Sequence, residues 1–118
     1  MKTRILLLAI SMMFAVALQA QTYDQLWKRV QQMEQKDLPK SVIAEAQAIY
    51  QKAKAEQNVP QMMKAYLTMM VYRKSISPDS LAVDVKGLEE WAASPQTEQS
   101  DKAVLYSILG EITMKDDS

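Results

Sequence analysis

The chain has 118 residues, enough for one domain at most, and its 14 basic residues balance its 14 acidic residues. It has no histidine and no cysteine, which excludes the commonest general base, the commonest metal ligand, thiol nucleophiles and disulfide bonds. The balanced charge lacks the basic excess of a nucleic-acid interface, and the two glycines cannot form a phosphate loop, so we expect neither nucleic acid nor a cofactor as ligand.

Residues 1–20 have the pattern of a secretory signal peptide. Lys2 and Arg4 precede an apolar run of 14 residues over 5–18, and the predicted cleavage point follows Ala20. The run is too short for a comfortable membrane span, although a retained anchor is the alternative.

The predicted mature chain, residues 21–118, has a net charge of −2, because removal of the signal leaves 12 basic residues against 14 acidic ones. A secreted chain without cysteine fits a bacterial periplasm or cell surface better than a small extracellular animal domain. We expect no membrane span after signal cleavage.

The first predicted helix begins at Thr22, where Gln25 stands at the spacing of a capping box. Trp27 is expected to anchor the core, with an exposed recognition role as the alternative. The apolar face of this helix consists of Tyr23, Leu26, Trp27, Val30 and Met33.

Two further helices, beginning at Pro39 and Pro60, are separated by only Asn58 and Val59. So short a connection predicts that the two helices are antiparallel and in contact. We expect Asn58 to end the first of them in the left-handed conformation. That helix has an apolar stripe of Val42, Ile43, Ala46, Ile49, Tyr50 and Ala53.

The helix from Pro60 to about Tyr72 is apolar on more than one side, which is typical of a helix that lies between two neighbours. Its methionines are expected to pack in the core, and an adaptable partner-binding groove is the alternative. The apolar positions are Met62, Met63, Tyr66, Leu67, Met69, Met70 and Val71.

A fourth helix is predicted from Pro78 to about Ala93, with Ser77 as its N-cap. The alternation at Leu81–Val85 would also fit a strand, but the charged continuation favours a helix. Gly87 is expected to permit close backbone approach by a neighbouring helix. The predicted apolar line is Leu81, Val85, Leu88 and Trp91 or Ala92.

The last predicted helix runs from about Ser100 to Thr113, and its apolar surface is too broad for the upstream helices to cover. We therefore expect this chain to be the amino-terminal part of a longer protein; pairing of the helix with another copy or partner is the alternative. The broad surface consists of Ala103, Val104, Leu105, Ile108, Leu109 and Ile112. In the same helix, Tyr106, Leu109 and Gly110 have the spacing found in the first helix of a tetratricopeptide repeat.

These elements predict an all-α fold of about five helices in antiparallel, tetratricopeptide-like hairpins. Two helices carry the candidate interaction surface, which comprises Met62, Tyr66, Met69, Arg73, Val104, Ile108 and Ile112.

Several segments resemble the opening region of very large secreted bacterial alpha-2-macroglobulin-like proteins. They are YDQLWK, KDLPKSVI, IYQKAKAEQNVPQMMKAYL, and SPDSL followed by EEWA. The resemblance implies a helical region that precedes a series of β-sandwich domains in a protease trap. Many members carry a Cys-x-Glu-Gln thioester, whereas this chain has no cysteine and TEQS at 97–100 cannot replace it. None of the family's functional residues can be placed on this chain.

The sequence thus predicts a non-catalytic structural or interaction module at the front of a secreted macroglobulin-like protein. Its partners would be its own downstream domains or another envelope protein, with proteases implied by the resemblance alone. The alternative is a free-standing tetratricopeptide-like periplasmic adaptor. An envelope enzyme is a third hypothesis, for which the adjacent carboxylates are Glu89 with Glu90 and Asp116 with Asp117. Adjacent residues on a helix diverge by about 100°, so neither pair converges on a substrate.

Overall fold

The computed structural model describes residues 22–116, and side-chain burial up to Ile112. Within this range all regular secondary structure is helical and no strand occurs, which confirms the predicted all-α fold class. The predicted signal peptide lies outside the described residues. The helices are α1 (Tyr23–Gln35), α2 (Pro39–Ala55), α3 (Val59–Ile76), α4 (Ser80–Ala93) and α5 (Gln99–Asp116).

Consecutive helices pack against one another as hairpins. The most extensive interface joins α2 and α3, as their short connection predicted, and the smallest of the four sequential interfaces joins α3 and α4. Segment 81–85 lies within α4, so the alternative strand is not formed. No helix among residues 22–116 combines the length and apolarity that crossing a bilayer would require.

The turns after α1 and α2 have the same backbone design. In each, the residue after the C-cap is left-handed, with φ of 57° at Asp37 and 56° at Gln57. After α2, the N–H groups of Gln57 and Asn58 donate to the carbonyls of Lys54 and Ala53 at 3.2 and 2.8 Å. This pattern satisfies carbonyls that the end of a helix would otherwise leave unpaired.

The expectation that Asn58 would be left-handed was therefore wrong by one residue. Gln57 takes that conformation, and Asn58 instead caps α3: its side-chain oxygen accepts a hydrogen bond from the backbone N–H of Gln61 at 3.4 Å. An asparagine side chain can serve either role, and capping satisfies a free donor at the start of α3.

The helix ends next to Pro78 also differ from the prediction. Helix α3 continues past Tyr72 to Ile76, because residues 73–76 contain no helix breaker. Pro78 then disfavours the helical conformation at the residue before it, Ser77. Pro78 lies in a turn closed by the Ser80 N–H and the Ser77 carbonyl at 3.0 Å, so α4 starts at Ser80. The predicted start at Pro78 and the N-cap role of Ser77 were wrong. At α1, by contrast, the predicted capping box is present.

The interior consists of two hydrophobic clusters. The first core is formed by α1, α2 and α3, and its buried members are Leu26, Trp27, Val30, Val42, Ile49 and Ala65. The second core is formed by α3, α4 and α5, and its buried members are Met63, Met70, Leu88, Ala92 and Leu105. Helix α3 contributes to both, which confirms its predicted place between two neighbours.

Trp27 takes the core position that its spacing predicted. It is 8% exposed, and its indole N–H donates to the side-chain oxygen of Gln61 at 2.7 Å. The ammonium of Lys64 lies 4.3 Å from the Trp27 ring centre, a cation–π contact. Both partners are on α3, so Trp27 links α1 to α3 as well as filling the first core.

Candidate interaction surfaces

The outward side of α5 carries an exposed, partly apolar surface. We call it the α5 strip: a shallow hollow of about 380 Å³ lined by Ala103, Val104, Ser107, Ile108 and Glu111. Val104 is 47% exposed, whereas Ile108 is half-buried against the second core. Four of its five lining residues are uncharged, so the hollow can contact an apolar group.

The part of α5 that faces the second core is better covered than its apolar periodicity predicted, and Ile108 lies at the border between this part and the α5 strip. Leu105 is fully buried, and Ile108, Leu109 and Ile112 all pack, half-buried, against the second core. Upstream helices therefore cover much of the surface that was expected to be exposed. What remains on α5 is Val104 with its neighbours, together with Tyr106, which is 55% exposed.

Helix α3 does not present the interaction surface that the sequence predicted. Met69 is 2% exposed, and its assignment to that surface was wrong, because α3 packs between α2 and α4. Met62 is half-buried and lines a cleft described below. Tyr66 and Arg73 are also partly buried, and both bind α4.

Tyr66, Arg73 and Asp84 form a polar joint between α3 and α4. The Tyr66 hydroxyl donates to the Asp84 carbonyl at 2.8 Å, and Nε of Arg73 lies 3.2 Å from Oδ2 of Asp84, whose residue is 7% exposed. Burial, and then the charge of Asp84, raise the pKa of Tyr66. These contacts fix the smallest sequential interface of the fold and leave both α3 side chains occupied.

Gly87 lies directly beneath this joint. A Cβ at this position would overlap the Tyr66 hydroxyl, and it would lie 3.5 Å from the ring carbon that bears that hydroxyl. The group that approaches Gly87 is therefore a side chain, and the predicted approach of the backbone of a neighbouring helix is not found.

A larger concavity, which we call the edge cleft, lies where the α2–α3 turn meets the α4–α5 connection. Its volume is about 910 Å³. Trp91 and Met62 form part of its wall, and the Thr97 hydroxyl donates to the Trp91 carbonyl at 2.7 Å, holding the connection in place. The cleft is lined by Lys54, Glu56, Gln57, Asn58, Val59, Pro60, Met62, Trp91, Ser94, Gln96, Thr97, Glu98 and Asp101.

Glu56 lines the edge cleft, and its negative charge is already compensated. Its carboxylate accepts a hydrogen bond from the Tyr23 hydroxyl at 2.7 Å and pairs with the Lys52 ammonium at 2.7 Å. These hydrogen bonds, the one from Lys52 foremost, lower the pKa of Glu56. Burial, with further contributions from Glu56, raises the pKa of Tyr23 to about 12. The three side chains fasten the start of α1 to the end of α2.

The carboxylate pairs do not form a site among the described residues. Glu89 and Glu90 are both exposed on α4, and Asp116 is the last described residue, so Asp117 lies outside the range. Over 22–116, no three acidic side chains come close enough together to hold a metal ion. What the geometry offers is binding through apolar and ionic contacts.

No protein-family model, curated protein or solved structure matches this chain. The macroglobulin-like resemblance and the tetratricopeptide likeness therefore stay predictions, and function must be argued from the surfaces themselves.

The predicted site residues thus occupy separate environments. Met62 lies in the edge cleft, Met69 in the interior, Tyr66 and Arg73 at the polar joint, and the three α5 residues on or beside the α5 strip. Sequence reasoning missed Trp91 as a cleft residue and Asp84 as the partner of Arg73. The sequence did contain a signal for Asp84, which lies between apolar positions on the same side of the helix as Leu88. A carboxylate buried at such a position requires a partner of opposite charge.

Proposed function

We propose that this chain is a non-catalytic helical interaction module whose α5 strip docks against an apolar surface of a neighbouring protein domain. The observation that carries this proposal is Val104, 47% exposed beside half-buried Ile108 over a shallow hollow. Exposed apolar surface favours contact with another apolar surface.

The setting of the module comes from the sequence. The signal-peptide pattern of residues 1–20 supports secretion to the periplasm or cell surface. The resemblance to macroglobulin-like proteins supports a place in front of downstream β-domains, with protease trapping as a property of the whole protein. On this proposal, the partner of the α5 strip is a domain of the same polypeptide or an envelope protein.

A free-standing tetratricopeptide-like adaptor is the second candidate. It is supported by the side-by-side hairpins of α2–α3 and α4–α5 and by the spacing of Tyr106, Leu109 and Gly110. The two candidates differ in what is bound: a folded domain, of the same polypeptide or of an envelope protein, in the first case, and an extended peptide of another secreted protein in the second.

The test begins with the reading frame beyond Ser118. The polypeptide encoded there is produced separately and titrated into the ¹⁵N-labelled helical chain. We expect amide shifts centred on Ala103, Val104 and Ser107. Val104→Glu should weaken binding about tenfold or more, since a buried, unpaired carboxylate costs more than 1.4 kcal/mol.

The matched control is Val83→Glu, because Val83 is 72% exposed on α4 and lies outside the α5 strip. An equal loss with both variants would refute the α5 strip as the docking surface. Shifts elsewhere, with none on α5, would do the same. A stop codon directly after Ser118 would exclude a domain of the same polypeptide and leave a separate protein as the partner.

A further inference from the structure

The edge cleft has the size and the walls of a ligand site. Its volume of about 910 Å³ lies within the range of roughly 300–1,000 Å³ that is usual for binding sites. One wall is the α2–α3 turn, fixed by the Asn58 hydrogen bonds, and the other is the α4–α5 connection, fixed by Thr97. Both walls are tied to helix ends, so the cleft is formed before any ligand arrives.

The apolar part of the cleft is built around an aromatic ring. Trp91 is half-buried, and its ring lies 6.1 Å from that of Tyr66 at an interplanar angle of 59°, which holds it from the α3 side. Val59 and Met62 continue the apolar lining. Among the described residues, the Trp91 indole N–H has no acceptor, so it can donate to a ligand carbonyl.

The charged part of the cleft is negative. Glu56 is compensated by Lys52, but Glu98 and Asp101 take part in no ion pair within residues 22–116. Lys54 is the only basic residue among the described residues that line the cleft, so the two free carboxylates outnumber the positive charge there. Free carboxylates attract a cationic group.

We propose that the edge cleft binds an extended peptide segment in which a basic side chain stands next to aliphatic ones. The basic group would pair with Glu98 and Asp101, and the aliphatic groups would contact Trp91 and Met62. This site is separate from the α5 strip and does not depend on the function proposed for it. Glu98 and Asp101 also lie near the start of α5, where carboxylates favour the helix dipole, so the test must separate binding from helix stability.

The experiment uses two defined probes, the capped peptides Ala-Leu-Arg-Leu-Ala and Ala-Leu-Glu-Leu-Ala, titrated into the ¹⁵N-labelled protein. The chain has two tryptophans, so two indole N–H signals report the result. We expect the arginine peptide to shift the signal of Trp91 and to leave that of core residue Trp27 unchanged. The glutamate peptide should shift neither.

Charge variants then locate the contact. Glu98→Gln combined with Asp101→Asn should weaken binding of the arginine peptide about fivefold or more. The matched control, Glu89→Gln combined with Glu90→Gln, removes the same charge from exposed positions outside the cleft and should leave the affinity unchanged. Lys54→Gln should strengthen binding about twofold.

Circular dichroism of each variant checks that α5 remains folded. If the first double variant loses helix, the Lys54→Gln variant alone tests the proposal. The proposal is overturned if Lys54→Gln does not increase the affinity for the arginine peptide. Equal shifts with both peptides, or an equal loss with both double variants, would also overturn it. The α5-strip variant Val104→Glu should leave peptide binding unchanged, which keeps this outcome independent of the docking experiment.

Discussion

Whether Gly87→Ala stabilises or destabilises the protein should depend on a second residue, Tyr66. In a helix interior, glycine to alanine normally stabilises by about 1 kcal/mol. Here, however, the new methyl group would overlap the Tyr66 hydroxyl, which is hydrogen-bonded to Asp84 and is the end of a ring packed between Tyr50 and Trp91. Overpacking of this kind costs about 1–3 kcal/mol. We therefore expect Gly87→Ala to destabilise the protein by about 1 kcal/mol.

Removing the Tyr66 hydroxyl should reverse the sign of the stability change that Gly87→Ala causes. Tyr66→Phe alone loses one hydrogen bond, worth about 1 kcal/mol. In that background the alanine methyl meets a ring carbon at 3.5 Å, an ordinary van der Waals distance. Gly87→Ala should then stabilise by about 1 kcal/mol, which gives a coupling energy of about 2 kcal/mol between the two positions.

The assay is urea denaturation followed by circular dichroism at 222 nm for the wild type, both single variants and the double variant. A change of 1 kcal/mol corresponds to roughly 4–8 °C in Tm for a domain of this size, so thermal melts provide an independent check. If the effects of the two substitutions add within about 0.5 kcal/mol, the contact between Gly87 and Tyr66 does not exist and the reasoning is refuted.

Three further predictions concern the ends and the interior of the helices. Thr22→Ala removes the capping box of α1 and should lower the free energy of unfolding by about 1 kcal/mol in urea denaturation, and an unchanged midpoint would contradict it. Glu56→Gln should lower the pKa of Tyr23 from about 12 part of the way toward 10.0, with burial maintaining the rest, as followed by NMR of the ring carbon. Because the folded-state pKa of Tyr23 is raised, its stabilising contribution is complete below pH 10 and is lost as the pH rises through about 12. Leu88→Ala, at a residue 1% exposed, should cost about 2–5 kcal/mol, whereas Val83→Ala, at a residue 72% exposed, should change stability by less than about 0.5 kcal/mol; similar thermal shifts for the two would contradict the assigned second core.

The helices and the first core were predictable because they depend on local spacing. Leu26 and Val30 are one turn apart and both buried, and the capping box at Thr22 is a pattern of two residues. Helix α3 was harder to interpret, since apolar residues surround it. Only the packing of two hairpins decides that Met69 is buried while Val71 is 60% exposed.

The candidate sites were less predictable because they combine distant parts of the chain. The edge cleft exists only where the turn containing Asn58 approaches the connection containing Thr97. Similarly, Arg73 and Asp84 belong to different helices, and no local pattern pairs them. Chain reversal between α3 and α4 brings them together. A sequence read by periodicity assigns faces to helices, whereas these sites depend on which faces meet.

The division of the interior into two cores has a consequence for synthesis on the ribosome. Every member of the first core precedes residue 77, so this cluster can close while the rest of the polypeptide is still being made. The second core needs Leu105 from α5 together with Met63 and Met70 from α3. Until α5 has been translated, the two methionines lack part of their apolar cover, and the nascent protein exposes thioether groups that a chaperone could bind.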